Sequence, residues 1–350
     1  MDEQSQTRSR KLDHVRIVLD ENVAAKGITT GFAAWHMPHE ALPELDMAAI
    51  QLQTVFLGKT LRAPLLISSM TGGAHDVEVI NTVLAEAAQH LGLAMGVGSQ
   101  RAAIGDDSLA ASYRVRQIAP DIALYANLGA VQLNYGYGVA ECQRAVDMIG
   151  ADALILHLNA LQEAVQPEGN TNFSGLLHKI SVICRALPVP VIVKEVGNGI
   201  GAQTARRLLD AGVSAIDVAG AGGTSWSEVE RFRHAAGERS AQTAGQFADW
   251  GIPTTTAIRQ VRAALPKVPL IGSGGIRSGV DVAKAIALGA NLVGTAKPAL
   301  LAAVDSRGVE RVIAELQGFI DELRIAMFCS GCADIAALGC LPLQRSNHDG

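Results

Sequence analysis

Short apolar runs recur along the chain, separated by amphipathic stretches. Each run is rich in aliphatic side chains and bounded by glycine or polar residues, which is typical of a parallel strand buried on both faces. The eight runs begin at Ala63, Leu91, Ile122, Ala153, Val191, Ala215, Pro269 and Asn291. The stretches with helical periodicity cover residues 77–90, 176–186, 202–211, 255–265 and 280–288. Alternating strand and helix units predict an α/β fold, namely a (β/α)8 TIM barrel.

Two segments are longer than this alternation requires. An N-terminal arm precedes the first strand, and an insertion at residues 222–253 follows the sixth strand. Long segments beside the carboxyl ends of barrel strands lie at the mouth, where they can act as lids. We therefore expect an arm and substrate-binding extension at residues 1–62, a barrel at 63–340 closed by a helix at 309–328, and a flexible tail at 341–350.

The composition is that of a compact α/β protein with an aliphatic core. Of its 350 residues, 49% are hydrophobic, only 4% are aromatic and 36 are glycine. A net charge of −5 without long runs of one sign argues against a nucleic-acid groove or a basic membrane face, and favours a small-molecule ligand. Because no secretory signal and no run of about 18 apolar residues occurs, we expect a cytoplasmic protein that does not cross a membrane.

The five cysteines are expected to be reduced thiols, because their number is odd and Cys142 and Cys184 fall in helical stretches. Cys329 and Cys332 form a CSGC motif, which could be redox-active or bind a metal. Since neither a second CxxC nor a pair of histidines accompanies the motif, we favour ordinary thiols there as well.

Polar residues interrupt the chain abruptly after the fourth strand. His157 and Asn159 should share one face of the extended chain, and Gln162 and Glu163 follow at once. In a closed barrel, chemistry collects at the carboxyl ends of the strands. A core histidine is the alternative interpretation of His157, but the cluster as a whole indicates a reaction site.

Two glycine-rich turns follow the seventh and eighth strands. They are SGGIRSG at Ser273–Gly279 and GTAKP at Gly294–Pro298. Glycines let backbone N–H groups approach a phosphate, and the helix N-termini that follow add partial positive charge. Either motif alone could simply turn the chain, whereas both in adjacent units favour a phosphate site.

Lys194 lies inside an otherwise apolar strand, which is costly unless its ammonium meets an anion or a polar cofactor. We expect Lys194 to point into the barrel mouth. A structural ion pair with Glu195 is the weaker alternative, because neighbours on a strand face opposite ways. Other strand ends and the GAGGTS turn supply further polar candidates: Ser68, Ser69, Thr71, Ser99, Gln100, Arg101, Asn127, Thr224 and Ser225.

Several longer motifs share one family pattern. They are RKLDH at 10–14, SSMTGG at 68–73, GSQR at 98–101, HLNALQE at 157–163, VKEVGNG at 193–199, GAGGTSW at 220–226, GSGGIR at 272–277 and GTAKP at 294–298. With them the chain resembles the type 2 isopentenyl-diphosphate isomerases, FMN-dependent (β/α)8 enzymes. SGGIR and MTGG occur in other flavin barrels, but HLNALQE together with RKxxH is far more specific. The cysteines of Met327–Cys332 depart from the family pattern.

The resemblance implies a reaction and its cofactors. Isopentenyl diphosphate would become dimethylallyl diphosphate as a proton is added at one end of an allylic unit and removed from the other, with reduced FMN and Mg²⁺ as cofactors. It also implies NADPH as the reductant and a homo-oligomer, either a tetramer or an octamer. The residues themselves leave NADH or a partner protein open as the source of electrons, because no separate GxGxxG unit stands out.

The same resemblance implies roles for individual residues. Gln162, Lys194 and His157 would be catalytic, and Glu163 would hold Mg²⁺. The implied substrate-binding residues are Arg10, Lys11, His14, Ser99, Arg101, His157, Asn159 and Gln162. The implied FMN-binding residues are Ser68, Ser69, Met70, Thr71, Ser99, Asn127, Lys194, Thr224, Ser225, Gly274, Gly275, Arg277, Gly294 and Ala296. For Arg10 and Lys11, a surface charge cluster is the alternative.

Two other functions use the same fold. An FMN-dependent oxidoreductase of the 2-hydroxy-acid oxidase or dioxygenase type shares the phosphate turns, but usually needs a histidine–arginine pair where this chain has HLNALQE. A non-catalytic flavin-binding or phosphate-binding barrel could act as a sensor or scaffold. Gln162 and Glu163 beside the RKxxH arm argue against that second alternative.

Overall fold

The strands close into a barrel, as the apolar runs predict. The computed structural model describes residues 13–72, 78–235 and 237–346. The barrel strands are β1 (Leu65–Ile67), β2 (Ala94–Gly96), β3 (Leu124–Gly129), β4 (Ala153–His157), β5 (Val191–Lys194), β6 (Ala215–Asp217), β7 (Leu270–Ser273) and β8 (Leu292–Thr295). Each strand pairs in parallel with the next, and Val293 of β8 lies beside Leu65 of β1 where the barrel closes. The predicted (β/α)8 fold is therefore confirmed.

Helices alternate with the strands around the barrel. Those described are α1 (Glu78–Leu91), α2 (Arg101–Gly105), α3 (Val139–Ile149), α4 (Ala160–Val165), α5 (Leu176–Ala186), α6 (Ala202–Asp210), α7 (Trp226–Arg233), α8 (Arg239–Gly245), α9 (Thr254–Ala264), α10 (Gly279–Ala287), α11 (Lys297–Ala303), α12 (Val309–Phe328) and α13 (Ile335–Gly339). The predicted helices 176–186 and 309–328 have the observed ends. Helix 202–211 ends one residue too late, and the other three are shifted by one residue at both ends. Residue 77, where the first was predicted to begin, lies outside the described residues.

An apolar layer fills the barrel interior. Its members are Leu66, Ala94, Tyr125, Ala153, Ile155, Ile192, Ala215, Ile271 and Leu292. They pack against Phe56 and Leu61, which come from a hairpin of two short antiparallel strands, Thr54–Phe56 and Lys59–Leu61. Because the hairpin immediately precedes β1, it covers the amino end of the barrel and leaves the carboxyl end as the mouth.

A polar layer lies above the apolar one. Side chains alternate along a strand, so the residue two positions after an inward-facing residue also faces inward. These second inward positions are Ser68, Gly96, Asn127, His157, Lys194, Asp217, Ser273 and Gly294. All are polar or glycine, and we call this set the floor. The sequence thus places an apolar core and a polar floor inside one barrel.

The arm and the insertion after β6 meet at the mouth. Described residues 13–20 form a helix, which we call the arm helix, and the chain after it bonds to the turn before α7. The Ala25 N–H donates to the Gly223 carbonyl, and the Ser225 N–H donates to the Val23 carbonyl. Further along, Asp249 Oδ1 accepts from three successive backbone N–H groups at residues 26–28, at 2.7, 2.7 and 3.0 Å. The two segments therefore hold each other at the edge of the mouth.

Part of the predicted tail is paired with the arm. Gln344–Arg345 forms an antiparallel pair with Trp35–His36, and residues 347–350 lie outside the described residues. No helix in the described ranges combines the length and apolar character that a membrane crossing requires. All five cysteines are free thiols, as predicted, and burial raises the pKa of Cys142 to about 12.

Candidate active site

A cavity of about 730 Å³ opens above the floor at the carboxyl ends of the strands. Its wall gathers predicted site residues from nearly every barrel unit: His14, Ser68, Ser69, Met70, Thr71, Ser99, Arg101, Asn127, His157, Asn159, Gln162, Glu163, Lys194, Thr224, Gly274, Gly275, Arg277, Gly294 and Ala296. Ser225 lies behind this wall, where its hydroxyl oxygen is 3.0 Å from that of Ser227. Arg10 and Lys11 lie outside the described residues.

Gln162 is held in one orientation by hydrogen bonds. It lies on α4, which begins directly after β4, and it is buried on the cavity wall. Its Nε2 donates to Glu230 Oε1 at 3.0 Å, and its Oε1 accepts from Asn159 Nδ2 at 3.3 Å. Because the donor and acceptor ends of the amide are both engaged, the side chain is positioned before any ligand binds.

Glu230 is a buried residue of the site that was not among the residues predicted from the sequence. Its side chain is fully buried on α7, where it accepts from His14 Nε2 at 2.9 Å and Arg233 Nη1 at 2.7 Å, in addition to Gln162. Burial alone would raise the pKa of Glu230, but the His14 bond and charge, the Arg233 charge and the Gln162 amide together lower it to about 2. Glu230 is therefore a carboxylate that joins the arm to the Gln162 amide. An acidic residue in a helix gave no sequence signal of this role.

Glu163 lies beside Gln162 within a network of amides. Its Oε1 accepts from Asn159 Nδ2 at 2.8 Å, and its Oε2 accepts from Gln166 Nε2 and the Asn170 N–H, both at 2.6 Å. Arg101 Nη1 donates to Asn170 Oδ1 at 3.2 Å. The loop after α4 therefore connects the carboxylate to the arginine across the cavity.

Two glutamines in this network were also not among the predicted site residues. Gln132 donates to Asn170 Oδ1 at 3.0 Å, and Gln132 and Gln166 are both buried on the cavity wall. Within residues 13–72, 78–235 and 237–346, no group of three or more His, Cys, Asp or Glu side chains is arranged to hold a metal ion. The network therefore offers a single carboxylate among amides rather than an all-protein metal cage.

A buried asparagine determines which nitrogen of His157 carries a proton. Asn127 Nδ2 donates to the Val97 carbonyl at 3.1 Å, which leaves Asn127 Oδ1 as an acceptor 2.8 Å from His157 Nδ1. The Nδ1 of His157 must therefore carry hydrogen, and in the neutral ring Nε2 is an acceptor. Asn127 was predicted to bind FMN, and in this geometry its amide also orients His157.

Lys194 lines the cavity, as predicted, with only 8% of its surface exposed. Its Nζ donates to the carbonyl oxygen of Glu195 at 2.5 Å. The carboxylate of Glu195 instead accepts from backbone N–H groups of the following loop, at Val196 and Gly197. A backbone carbonyl therefore holds the Lys194 ammonium, which belongs to the floor.

Three hydroxyl groups lie buried near the cavity without a hydrogen-bond partner among the described residues. They are those of Ser68, Ser69 and Thr71, and the side-chain carbonyl of Asn159 is also without one. Buried polar atoms in folded proteins nearly always have partners. A polar ligand that reaches these side chains would supply the missing bonds.

The glycine turn after β7 packs closely against the turn after β6. Gly274 and Gly275 have φ angles of 106° and 70°, in the left-handed region that favours glycine. A Cβ on Gly274 would lie 2.2 Å from the Gly220 carbonyl oxygen. Arg277 and Lys297 line the cavity together with glycines of both turns, so two cations and two glycine turns border one space, an arrangement that suits a phosphate.

Comparison with known proteins identifies the family. The chain is 56% identical to the isopentenyl-diphosphate delta-isomerase of Synechocystis sp., over 96% of each chain. It is 57% identical to the enzyme of the same name from Stutzerimonas stutzeri, over 94% of this chain and 95% of that one. The chain belongs to the isopentenyl-diphosphate delta-isomerase family. Membership confirms the family predicted from the sequence motifs.

A second comparison concerns the cofactor of the family barrel. The model of a family described as FMN-dependent dehydrogenase matches residues 138–344, which include β4 to β8 and both glycine turns. This match supports the predicted FMN. The unpartnered hydroxyls and the cations beside the glycine turns fit a phosphorylated flavin, because the hydroxyls lack hydrogen bonds and the cations of Arg277 and Lys297 can pair with a phosphate.

Solved structures share the fold. A mutant of mandelate oxidase with a monooxide FMN adduct has a TM-score of 0.66 at 18% identity, covering 99% of this chain and 100% of that chain. A Pediococcus acidilactici protein described as a lactate oxidase has a TM-score of 0.67 at 18% identity, covering 99% and 94%. At such identity the likeness extends to the barrel alone, so it does not favour the oxidase alternative.

Proposed function

We propose that this protein converts isopentenyl diphosphate into dimethylallyl diphosphate, using reduced FMN and Mg²⁺. The observation that carries the proposal is the meeting of two groups of residues in one cavity. The Gln162 amide and the Glu163 carboxylate lie on the same wall as the glycine turns after β7 and β8. Relatives that are more than half identical over nearly the whole chain bear the name of this activity.

FMN would bind along the floor and the β7 and β8 turns. The phosphate would meet the backbone at Gly274, Gly275, Gly294 and Ala296, together with Arg277. The ring and ribityl chain would engage Ser68, Ser69, Met70, Thr71, Ser99, Asn127, Lys194, Thr224 and Ser225. Bound reduced FMN supplies a site of proton exchange and a negative charge that can stabilise a cation in a low-dielectric pocket.

Mg²⁺ would be held at Glu163. This ion keeps most of its water ligands and is bound through one or two carboxylates together with substrate phosphates. One carboxylate in a network of amides fits that preference, and the unpartnered Asn159 side-chain carbonyl lies in the same network. The ion would neutralise part of the diphosphate charge.

The diphosphate would bind on the side of the cavity formed by β2 and β4. Arg101 supplies a cation there, and His157, Asn159 and Ser99 supply hydrogen-bonding groups. Arg10, Lys11 and His14 of the arm would complete this set. With the diphosphate fixed, the hydrocarbon end of the substrate would reach the amide of Gln162, which the hydrogen bond to Glu230 holds in place.

The arm and the insertion would exclude water from the reacting end. Protonating an unactivated alkene gives a tertiary cation, which water would quench. His14 of the arm helix contacts Trp226 of α7 in an edge-to-face arrangement with ring centroids 5.1 Å apart. Since His14 also bonds to Glu230, closing the arm and orienting Gln162 would be one event.

Further expectations rest on the family resemblance. We propose NADPH as the reductant, a homo-oligomeric assembly, either a tetramer or an octamer, and a cytoplasmic location. Leu42, Val55, Val79 and Trp250 are large apolar residues that are more than 60% exposed, which is compatible with subunit contacts. No nucleic-acid partner is expected for a chain with a net charge of −5.

A turnover assay tests the proposal. Purified protein with FMN, Mg²⁺ and isopentenyl diphosphate should form dimethylallyl diphosphate while only a catalytic amount of reductant is consumed. An oxidoreductase of the 2-hydroxy-acid oxidase type would instead consume NADPH or O₂ in proportion to product. A barrel that binds FMN but forms no product would favour the sensor or scaffold alternative.

The glycine turn after β7 gives a prediction about FMN binding. Gly274→Ala should weaken FMN binding by about tenfold or more, because the new Cβ would meet the Gly220 carbonyl and displace the turn. Fluorescence titration of the protein with FMN measures the loss. Gly318→Ala on α12 is the control, since a Cβ there meets nothing within 4 Å and should leave FMN affinity unchanged. Equal affinities for the two variants would contradict the proposed phosphate site.

A further inference from the structure

The floor contains a buried pair of opposite charges that the proposed mechanism uses only in part. Lys194 of β5 and Asp217 of β6 are register partners on neighbouring strands, and both occupy inward-facing positions. Asp217 is fully buried, and Lys194 is 8% exposed. Partners on adjacent parallel strands place their side chains on the same face, so both side chains enter the barrel interior in the floor layer, where the charge of Lys194 acts on the Asp217 carboxyl group.

Asp217 is fixed in place without touching the cavity. Its Oδ1 accepts from Ser273 Oγ at 2.6 Å and from the Ala219 N–H at 3.3 Å. Its Oδ2 is buried with no hydrogen-bond partner among the described residues. Burial raises the pKa of Asp217, and the charge of Lys194 and the Ser273 bond oppose that rise. Burying a carboxylate in this way lowers the stability of the fold unless a nearby cation offsets the desolvation cost.

The groups around Lys194 show which one can serve as its counter-charge. On the β4 side its register partner is His157, whose Nδ1 faces Asn127. The next residue, Glu195, hydrogen bonds to Lys194 through its carbonyl oxygen. Its carboxyl group feels the charge of Lys194, but it faces the backbone of the following loop and is not part of the floor. Asp217, on the β6 side, is therefore the carboxylate in the floor layer that shares the inner face with the ammonium.

We propose that Asp217 sets the net charge that the floor presents to the flavin ring: its fixed carboxylate, on the strand beside Lys194 and in register with it, partly balances the charge of the ammonium. The inference rests on the proposed function, since the ring belongs to FMN. An ammonium at 8% exposure without a counter-charge would bear its whole desolvation cost whenever no anionic ring is bound. Asp217 offsets that cost when the bound FMN is oxidised.

The test compares how strongly the protein binds the two redox forms of FMN. Asp217→Asn keeps the shape of the side chain but removes its charge, so the floor becomes more positive. The dissociation constant of oxidised FMN divided by that of reduced FMN should therefore rise, by more than about threefold and on the order of tenfold. A tenfold rise corresponds to about +30 mV in the two-electron midpoint potential of the bound flavin. Anaerobic titration of wild-type and variant protein with each form gives the ratio.

Matched variants separate this role from a structural one. Loss of packing would weaken both redox forms equally and leave the ratio unchanged. Lys194→Met should lower the ratio, and Asp152→Asn, at the amino end of β4 away from the cavity, should not alter it. Asp217→Ser, neutral and smaller, provides a second test if the asparagine variant does not fold, and should raise the ratio in the same direction.

The outcomes are distinguishable. If the wild-type protein binds neither form of FMN, the proposed function fails. If it binds FMN and both neutral variants at position 217 leave the ratio within about threefold of wild type, or lower it, Asp217 does not set the charge of the floor and this inference is wrong while the proposed function stands.

Discussion

Replacing Gln162 with alanine should lower kcat by about 10²- to 10³-fold while the protein keeps its bound FMN. The amide lies on the cavity wall and is oriented by Glu230 and Asn159. An oriented dipole contributes most where charge develops during the reaction, because it needs no reorganisation at that moment. The alanine variant leaves the phosphate turns and the floor intact, so the yellow colour of bound flavin should persist. Steady-state kinetics and the visible spectrum measure the two effects.

A second glutamine provides the control for this prediction. Gln317 lies on the long helix α12, far from α4 in sequence, and bonds to Asp321 one turn later. Gln317→Ala should retain wild-type kcat and FMN affinity. If Gln162→Ala also turns over at the wild-type rate, the amide does not contact the reacting end of the substrate, and its assigned role is wrong.

The barrel could be predicted because each strand is buried on both faces. Runs such as Val191–Lys194 and Leu292–Thr295 are apolar up to their last residue because they pack inside and outside at once, and their spacing leaves room for one helix each. The hairpin under the barrel could not be predicted in the same way. Its strands, Thr54–Phe56 and Lys59–Leu61, are only three residues long and alternate in burial, so their pattern is weak.

The site could be predicted where polar residues occur in apolar strands. His157 and Lys194 stand out because a polar side chain at a strand end in this fold faces the mouth. Asp217 carries the same signal, at the end of the run Ala215–Asp217, and the sequence analysis overlooked it. Glu230 carries no such signal. It lies in a polar helix, where acidic residues are ordinarily solvated, and only the packing of α7 under the arm buries it.

A single carboxylate therefore connects three parts of the molecule that are distant in sequence. Glu230 bonds to His14 of the arm helix, to Gln162 of α4 and to Arg233 of its own helix. Residues far apart in sequence can meet in this way only after the barrel has brought α4 and α7 together. The positions of the Gln162 amide and of the arm are consequently coupled through one buried charge.

Replacing Glu230 with alanine should destabilise the protein by about 3–5 kcal/mol at neutral pH, because Arg233 and His14 lose a buried partner. The pKa of Glu230 is lowered to about 2 from its ordinary value of 4.5. Its contribution is therefore fully present above about pH 4.5 and is lost as the pH falls toward 2. The difference in unfolding free energy between wild type and variant should shrink over that window. Urea denaturation from pH 7 down to about pH 3 measures it.

The activity of Glu230 variants separates orientation from charge. Glu230→Ala leaves the Gln162 Nε2 without its acceptor, so kcat should fall by about tenfold or more even where the protein remains folded. Glu230→Gln keeps an acceptor oxygen and should recover part of the lost kcat. It lacks the carboxylate, so it should not recover the part of the unfolding free energy that depends on pH. Glu86→Ala, on the exposed face of α1, is the control and should change neither quantity. If Glu230→Ala matched wild type in stability from pH 7 to 3 and in kcat, this carboxylate would not couple the arm to Gln162.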